Sequence, residues 1–158
     1  MAITVLAALP EAPRLDVKIL ATDIDPKILD EAREGAYSED AVQPVPISVR
    51  GQWMARVSMG SERPWRVNDT VRSLVAFREL NLIGEWPMSG RFDVIFCRNV
   101  VIYFDEQTQQ TVWSKFAGKL ERDGVLYIGH SERVTGPAAA RFASDGVTAY
   151  RLRDGDGA

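Results

Sequence analysis

Between Phe92 and Asp105 the chain reads Phe-Asp-Val-Ile-Phe-Cys-Arg-Asn-Val-Val-Ile-Tyr-Phe-Asp. Val94, Ile95 and Phe96 in succession predict a buried strand, because an apolar run without polar alternation leaves no face for solvent. Arg98-Asn99 then interrupts the run with two polar side chains. The sequence returns to apolar residues and closes on Asp105, a good N-cap for a following helix. An open α/β sheet builds its ligand site in this way, with a polar tip at the carboxyl end of a strand. The stretch therefore constrains both the fold class and the place where chemistry would sit.

The rest of the chain agrees with a soluble α/β domain. Its 158 residues suit one domain with a real core. The net charge of −3 gives no basic field for nucleic acid. No apolar run approaches the roughly 20 residues that cross a bilayer, so no direct membrane insertion is expected. Met1 to Leu9 is apolar but lacks the basic start and cleavage site of a signal peptide. The single cysteine, Cys97, excludes an internal disulfide, and a cytoplasmic location fits. One cysteine and one histidine also argue against a zinc site, so no metal is expected.

Residues 2–9 read as the tail of a helix, ended by Pro10 and Pro13. Residues 17–22 form a short apolar strand leading into Asp23-Ile-Asp25-Pro26. Asp25 suits an N-cap, Pro26 the first helical turn, and Gly35 the stop. Residues 36–70 carry scattered proline, glycine and isolated aromatics, and read as an excursion of short strands and turns. Leu74 to Phe77 predicts a strand ending at Asn81-Leu82. Asp105 opens a helix whose apolar face is Val112, Trp113, Phe116, Ala117 and Leu120, with Asp123-Gly124 as its end. Strands follow at 125–130 and 147–152, the second suggesting an antiparallel edge. Residues 154–158 predict a frayed tail. Strands alternating with helices imply a mostly parallel sheet covered on both faces.

Polar residues close each parallel strand: Asp23, Asn81, Arg98-Asn99 and His130-Ser131-Glu132. One parallel sheet would bring these ends to one edge. Asp23 has two readings: it accepts hydrogen bonds from both hydroxyls of a ribose, or it caps the next turn. Asn81 suits an adenine edge or its own loop backbone. Arg98 suits a carboxylate, or it is a solvated surface arginine. Cys97 reads as a core residue at a strand end, and Tyr103 as core unless its hydroxyl faces the site.

Taken together, residues 21–25, 80–82, 92–105 and 129–132 resemble the catalytic region of the bacterial chemotaxis protein methyltransferases, the CheR family. The resemblance covers roughly residues 3–152. It implies a Rossmann-like class I S-adenosylmethionine-dependent methyltransferase domain over residues 1–153, with a small inserted β-subdomain at about 36–70. It implies methyl transfer from S-adenosylmethionine to glutamate side chains in the cytoplasmic region of chemotaxis receptors, leaving S-adenosylhomocysteine. By the same resemblance Asp23 holds the ribose, and Asn81 and Leu82 line the adenine. Arg98 and Asn99 stand at the amino-acid end, and Tyr103, with Arg98, serves the methyl acceptor. His130 to Glu132 resembles a structural and rim motif. In some family members the β-subdomain binds a receptor tether peptide by adding a strand. An ionised carboxylate needs no general base, so the lack of a Ser-His-Asp, Cys-His or paired-carboxylate set is consistent with this chemistry.

The family pattern also includes a helical N-terminal region, a first strand and a Gly-containing cofactor loop, and none of these is found in residues 1–158. The first strand belongs between the strands at 17–22 and 92–96. Without it the two neighbours pair directly, another chain fills the gap, or the protein folds poorly. Weak or absent methyl transfer by this chain in isolation is the expectation. Two other readings are a catalytically inactive receptor-binding module and a methyltransferase with another acceptor.

Overall fold

The computed structural model describes residues 1–57 and 60–153, so the expected tail at 154–158 lies outside the described residues. The chain divides into two compact units, Met1–Asn81 and Leu82–Ala158.

The first unit opens with helix α1 (Ala2–Ala8), which buries Leu6. A 3₁₀ turn at Ala12–Arg14 leads to strand β1 (Ile19–Asp23) and helix α2 (Pro26–Glu34). The predicted punctuation of α2 is present. The Asp25 side chain accepts the Lys27 N–H, Pro26 occupies the first turn, and Gly35 takes the left-handed conformation at φ 60°. Residues 36–70 depart from the expected strands and turns. They hold strands β2 (Ala36–Tyr37), β3 (Met54–Arg56) and β4 (Trp65–Val67), but also helices α3 (Glu39–Val42) and α4 (Ile47–Trp53). A further helix, α5 (Asp69–Ser73), precedes strand β5 (Val75–Glu79). Side-chain caps explain two of the three helices. Ser38 accepts the Ala41 N–H and Asn68 the Val71 N–H, an effect that outweighs weak helix propensity in a segment of one turn.

The three short strands form one antiparallel sheet in the order β2-β4-β3. Glu39 ties it together: its carboxylate accepts from Trp65 Nε1 and from Arg56, whose guanidinium also lies over the Trp65 ring. Strands β1 and β5 form a separate parallel pair, with Ile19 opposite Val75 and Asp23 opposite Glu79. Leu6, Ala12, Val71 and Leu74 make the core of this unit.

In the second unit strand β6 (Phe92–Cys97) is followed by a 3₁₀ turn at Val101–Tyr103 and helix α6 (Glu106–Lys119). Asp105 caps α6 through the Thr108 N–H, and that bond holds the Asp105 carboxyl below its ordinary range. The helix ends at Lys119, earlier than the Asp123-Gly124 stop that the sequence predicts. Leu120 already enters strand β7 (Leu120–Ile128), pairing with Phe92, and the ladder with β6 is irregular before Val94 meets Val125. Leu120 is fully buried, so the apolar contact continues after the helical geometry stops. A 3₁₀ turn at Gly136–Arg141 leads to strands β8 (Phe142–Ser144) and β9 (Ala149–Leu152). The sheet runs β6-β7-β9-β8, parallel at β6-β7 and antiparallel at the other two ladders.

Two sequence expectations need correction here. The parallel strands do not share one ladder: among the described residues β1 pairs only with β5, and β6 only with β7. Each is therefore unpaired along one side. The run at 94–96 is also not buried throughout. Ile95 and Cys97 pack with Leu126, Ile128, Trp113 and Phe116 in the core. Val94 and Phe96 point to the other face and are 44% and 47% exposed, Phe96 stacking on Tyr127 at 4.6 Å. An edge strand covered on one face gives this alternation.

Candidate active site

The residues singled out from the sequence lie at or after the carboxyl end of a parallel strand, in two groups. In the first unit Asp23 ends β1 and Asn81 follows β5. The two strand ends are joined by the Leu80 N–H, which donates to the Asp23 carbonyl at 2.9 Å. Asp23 Oδ1 accepts the Asp25 N–H at 2.9 Å, so the turn-capping reading holds for that oxygen. Asp23 Oδ2 is not engaged by another described residue. The capping bond fixes the carboxylate plane and leaves an acceptor at the strand end.

In the second unit Leu82 begins a loop that its own backbone helps to organise. Its carbonyl accepts from Trp86 Nε1 at 3.2 Å and from Lys115 Nζ at 3.1 Å. Lys115 also donates to the carbonyls of Ile83 at 2.8 Å and Gly84 at 2.5 Å, and its ammonium lies 5.5 Å from the Trp86 ring centroid. An ammonium has three donors, and here each finds a carbonyl. Lys119 adds a bond to Met88 at 2.6 Å. The sequence carried no signal for Lys115, which reads as one more charge on the polar side of α6.

Arg98 and Asn99 follow β6, and Gly129 to Glu132 follow β7, the parallel strand beside it. Asn99 stands at φ 59°, a left-handed conformation that asparagine tolerates better than most side chains. Gly129 explains how the two ends approach so closely. A Cβ there would lie 2.4 Å from Asn99 Oδ1 and 2.8 Å from Glu132 Oε2. Glu132 is the buried member of this group, 4% exposed. Its Oε1 accepts the N–H groups of Val100 at 3.1 Å and Val101 at 3.0 Å. Its Oε2 accepts those of Asn99 at 3.2 Å and Gly129 at 2.5 Å. Backbone donors on both oxygens make burial of the carboxylate tolerable. The sequence placed Glu132 in a rim motif without foreseeing this arrangement.

Arg98 and His130 are exposed, and Tyr103 is 81% exposed at the end of its 3₁₀ turn, while Val101 in the same turn is fully buried. Tyr103 is thus not a core residue. Val101 anchors the turn and Tyr103 projects from it. Cys97 is buried beside the Glu132 clamp. Burial, followed by the nearby Glu132 charge, pushes its thiol up to about 12, which removes it as a nucleophile at neutral pH. No described helix is long and apolar enough to cross a membrane.

Comparison with known proteins converges on one family. A family model described as "CheR methyltransferase, SAM binding domain" matches residues 1–150. A probable chemotaxis protein methyltransferase of Rhizobium etli is 54% identical over 96% of this chain and 56% of its own length. A chemotaxis protein methyltransferase of Borreliella burgdorferi is 43% identical over 76% of this chain and 42% of its own. That of Escherichia coli is 37% identical over 85% of this chain and 47% of its own. The chain spans about half the length of the curated relatives it matches.

Proposed function

This chain belongs to the CheR methyltransferase family, and from that premise we propose that it carries the methyl-donor site of a protein-glutamate O-methyltransferase in chemotaxis. The methyl donor is S-adenosylmethionine, the acceptors are glutamates in the cytoplasmic region of chemotaxis receptors, and the other product is S-adenosylhomocysteine. The protein acts in the cytoplasm. The observation that most supports this reading is the match of residues 1–150 to the family model. Within the first unit the Asp23 carboxylate at the end of β1 suits ribose hydroxyls. Within the second unit the cation and left-handed turn of Arg98-Asn99 suit a carboxylate.

S-adenosylmethionine, when bound, supplies a methyl group activated by a sulfonium. The protein's own part is to bind and to align. Asp23 accepts hydrogen bonds from the ribose hydroxyls, and Asn81 and Leu82 line the adenine. Arg98, whose planar fork suits a carboxylate, and Asn99 would hold the cofactor near its amino-acid end. Tyr103 offers its exposed hydroxyl to orient the acceptor carboxylate. That carboxylate is already ionised near neutral pH, so transfer needs orientation and exclusion of water rather than a base.

The test is transfer of a labelled methyl from S-adenosylmethionine to a receptor cytoplasmic fragment by the protein. Base-labile methyl esters on glutamate support the reading, as does a drop of about 10- to 100-fold in kcat for Tyr103→Phe. Label on a small molecule and none on receptor would replace it with the other-acceptor reading.

A second reading, receptor binding without transfer, draws on the β2-β4-β3 sheet, in which β3 is an edge able to accept a further strand. Binding of a receptor tail peptide by a chain that binds no S-adenosylhomocysteine would favour it.

A further inference from the structure

We propose that Glu132 is a positioning residue for the methyl-donor site, a role that rests on the function proposed above. It would hold the Arg98-Asn99 turn and the Tyr103 turn in their working geometry. Three consecutive backbone N–H groups, those of Asn99, Val100 and Val101, end on its carboxylate at 3.0–3.2 Å. A fourth, from Gly129 at the end of β7, ends on the same group. The segment so held begins one residue after Arg98 and ends two residues before Tyr103. It contains Asn99, the one non-glycine residue with positive φ among the described residues. A left-handed residue costs free energy that its surroundings must offset, and four charge-assisted bonds to one buried carboxylate do so here. Glu132 itself is buried and touches neither donor nor acceptor, so it acts through the loop. Gly129 fits the same device, because a side chain there would occupy the space taken by Asn99 Oδ1 and Glu132 Oε2.

Glutamine is the informative replacement. It keeps the length and volume of Glu132 but presents one oxygen and one NH₂ group. Whichever way the amide turns, donors meet donors on one side: Val100 and Val101, or Asn99 and Gly129. The loop then loses its geometry at the amino-acid end of the site, while Asp23 and the ribose end are untouched.

The experiment compares the protein with its Glu132→Gln variant by calorimetric titration with S-adenosylhomocysteine and, separately, with adenosine. Adenosine has the ribose and adenine but no amino-acid end. The expected result is a loss of about tenfold or more in affinity for S-adenosylhomocysteine with adenosine binding unchanged, the scale seen when an outer hydrogen-bond partner of a ligating group is removed. Faster exchange of the Asn99, Val100 and Val101 amides, with the α6 amides still protected, is expected alongside it. Equal losses for both ligands would show a general destabilisation and overturn the proposal, as would an unchanged affinity for both. If the unsubstituted protein binds neither ligand, the proposed function itself fails and takes this role with it. A protein that binds both while the variant behaves identically fails on Glu132 alone.

Discussion

Single atoms decide much of what the strand ends do. Gly129 has no room for a methyl group, so Gly129→Ala should force Asn99 or Glu132 aside. The expected loss of stability is about 1–3 kcal/mol, measured as a lowered denaturant midpoint at unchanged slope. Cys97 gives a pH signature with a definite sign. Its folded thiol is pushed up to about 12 from an ordinary 9.0, so the folded state keeps a proton that the unfolded chain releases first. This contribution is fully present below pH 9 and is lost as pH rises towards 12. The stability difference between the protein and Cys97→Ala should therefore narrow from about pH 9 upward, followed by urea unfolding. The native thiol should also resist alkylation at pH 8 while the denatured chain reacts. At this scale the sequence was legible for type and position but not for partners. Asp23, Asn81 and Arg98 stand at strand ends or in the following turn, as their polarity beside apolar runs implied, whereas Tyr103, which its apolar neighbours read as core, is exposed. The Asp23 bond to Asp25 is local and was one of that residue's two readings, but the Glu132 clamp and the Lys115 nest depend on atoms from segments up to 33 residues away. Local pattern does not carry such pairings.

Elements were legible where periodicity and caps agreed, and illegible where one overruled the other. α2 has its proline, its aspartate cap and its glycine stop, and forms as read. α6 starts where Asp105 says but gives way to β7 at Leu120, because that leucine is buried equally well as the first residue of a strand. In residues 36–70 short caps at Ser38 and Asn68 create single-turn helices that composition alone reads as turns. A prediction belongs to α6 itself. Lys115 holds three successive carbonyls of the loop that starts at Leu82. Lys115→Met should keep the helix and release the loop. Hydrogen exchange at 82–90 should accelerate, with a stability loss of about 1–3 kcal/mol, the range for hydrogen bonds to a charged group. Unchanged exchange there would mean that packing of Trp86 on Phe116 alone fixes the loop.

For the whole molecule, the α/β class and the placement of polar residues at parallel strand ends follow from the alternation of strands and helices. The single shared sheet does not, since among the described residues β1 and β6 each have one ladder only. Sequence pattern reports how a strand is covered, and Val94 and Phe96 have the composition of a central strand although they stand exposed in these 158 residues. The central claim is that the strand ends hold the nucleoside of a methyl donor, with Asp23 as the ribose acceptor. The most direct measurement is calorimetric titration of the protein and its Asp23→Ala variant with S-adenosylhomocysteine. The account predicts binding at about micromolar strength, corresponding to roughly −8 kcal/mol, weakened at least about tenfold by Asp23→Ala. Equal affinity in the protein and the Asp23→Ala variant, or no binding by the protein, would contradict it.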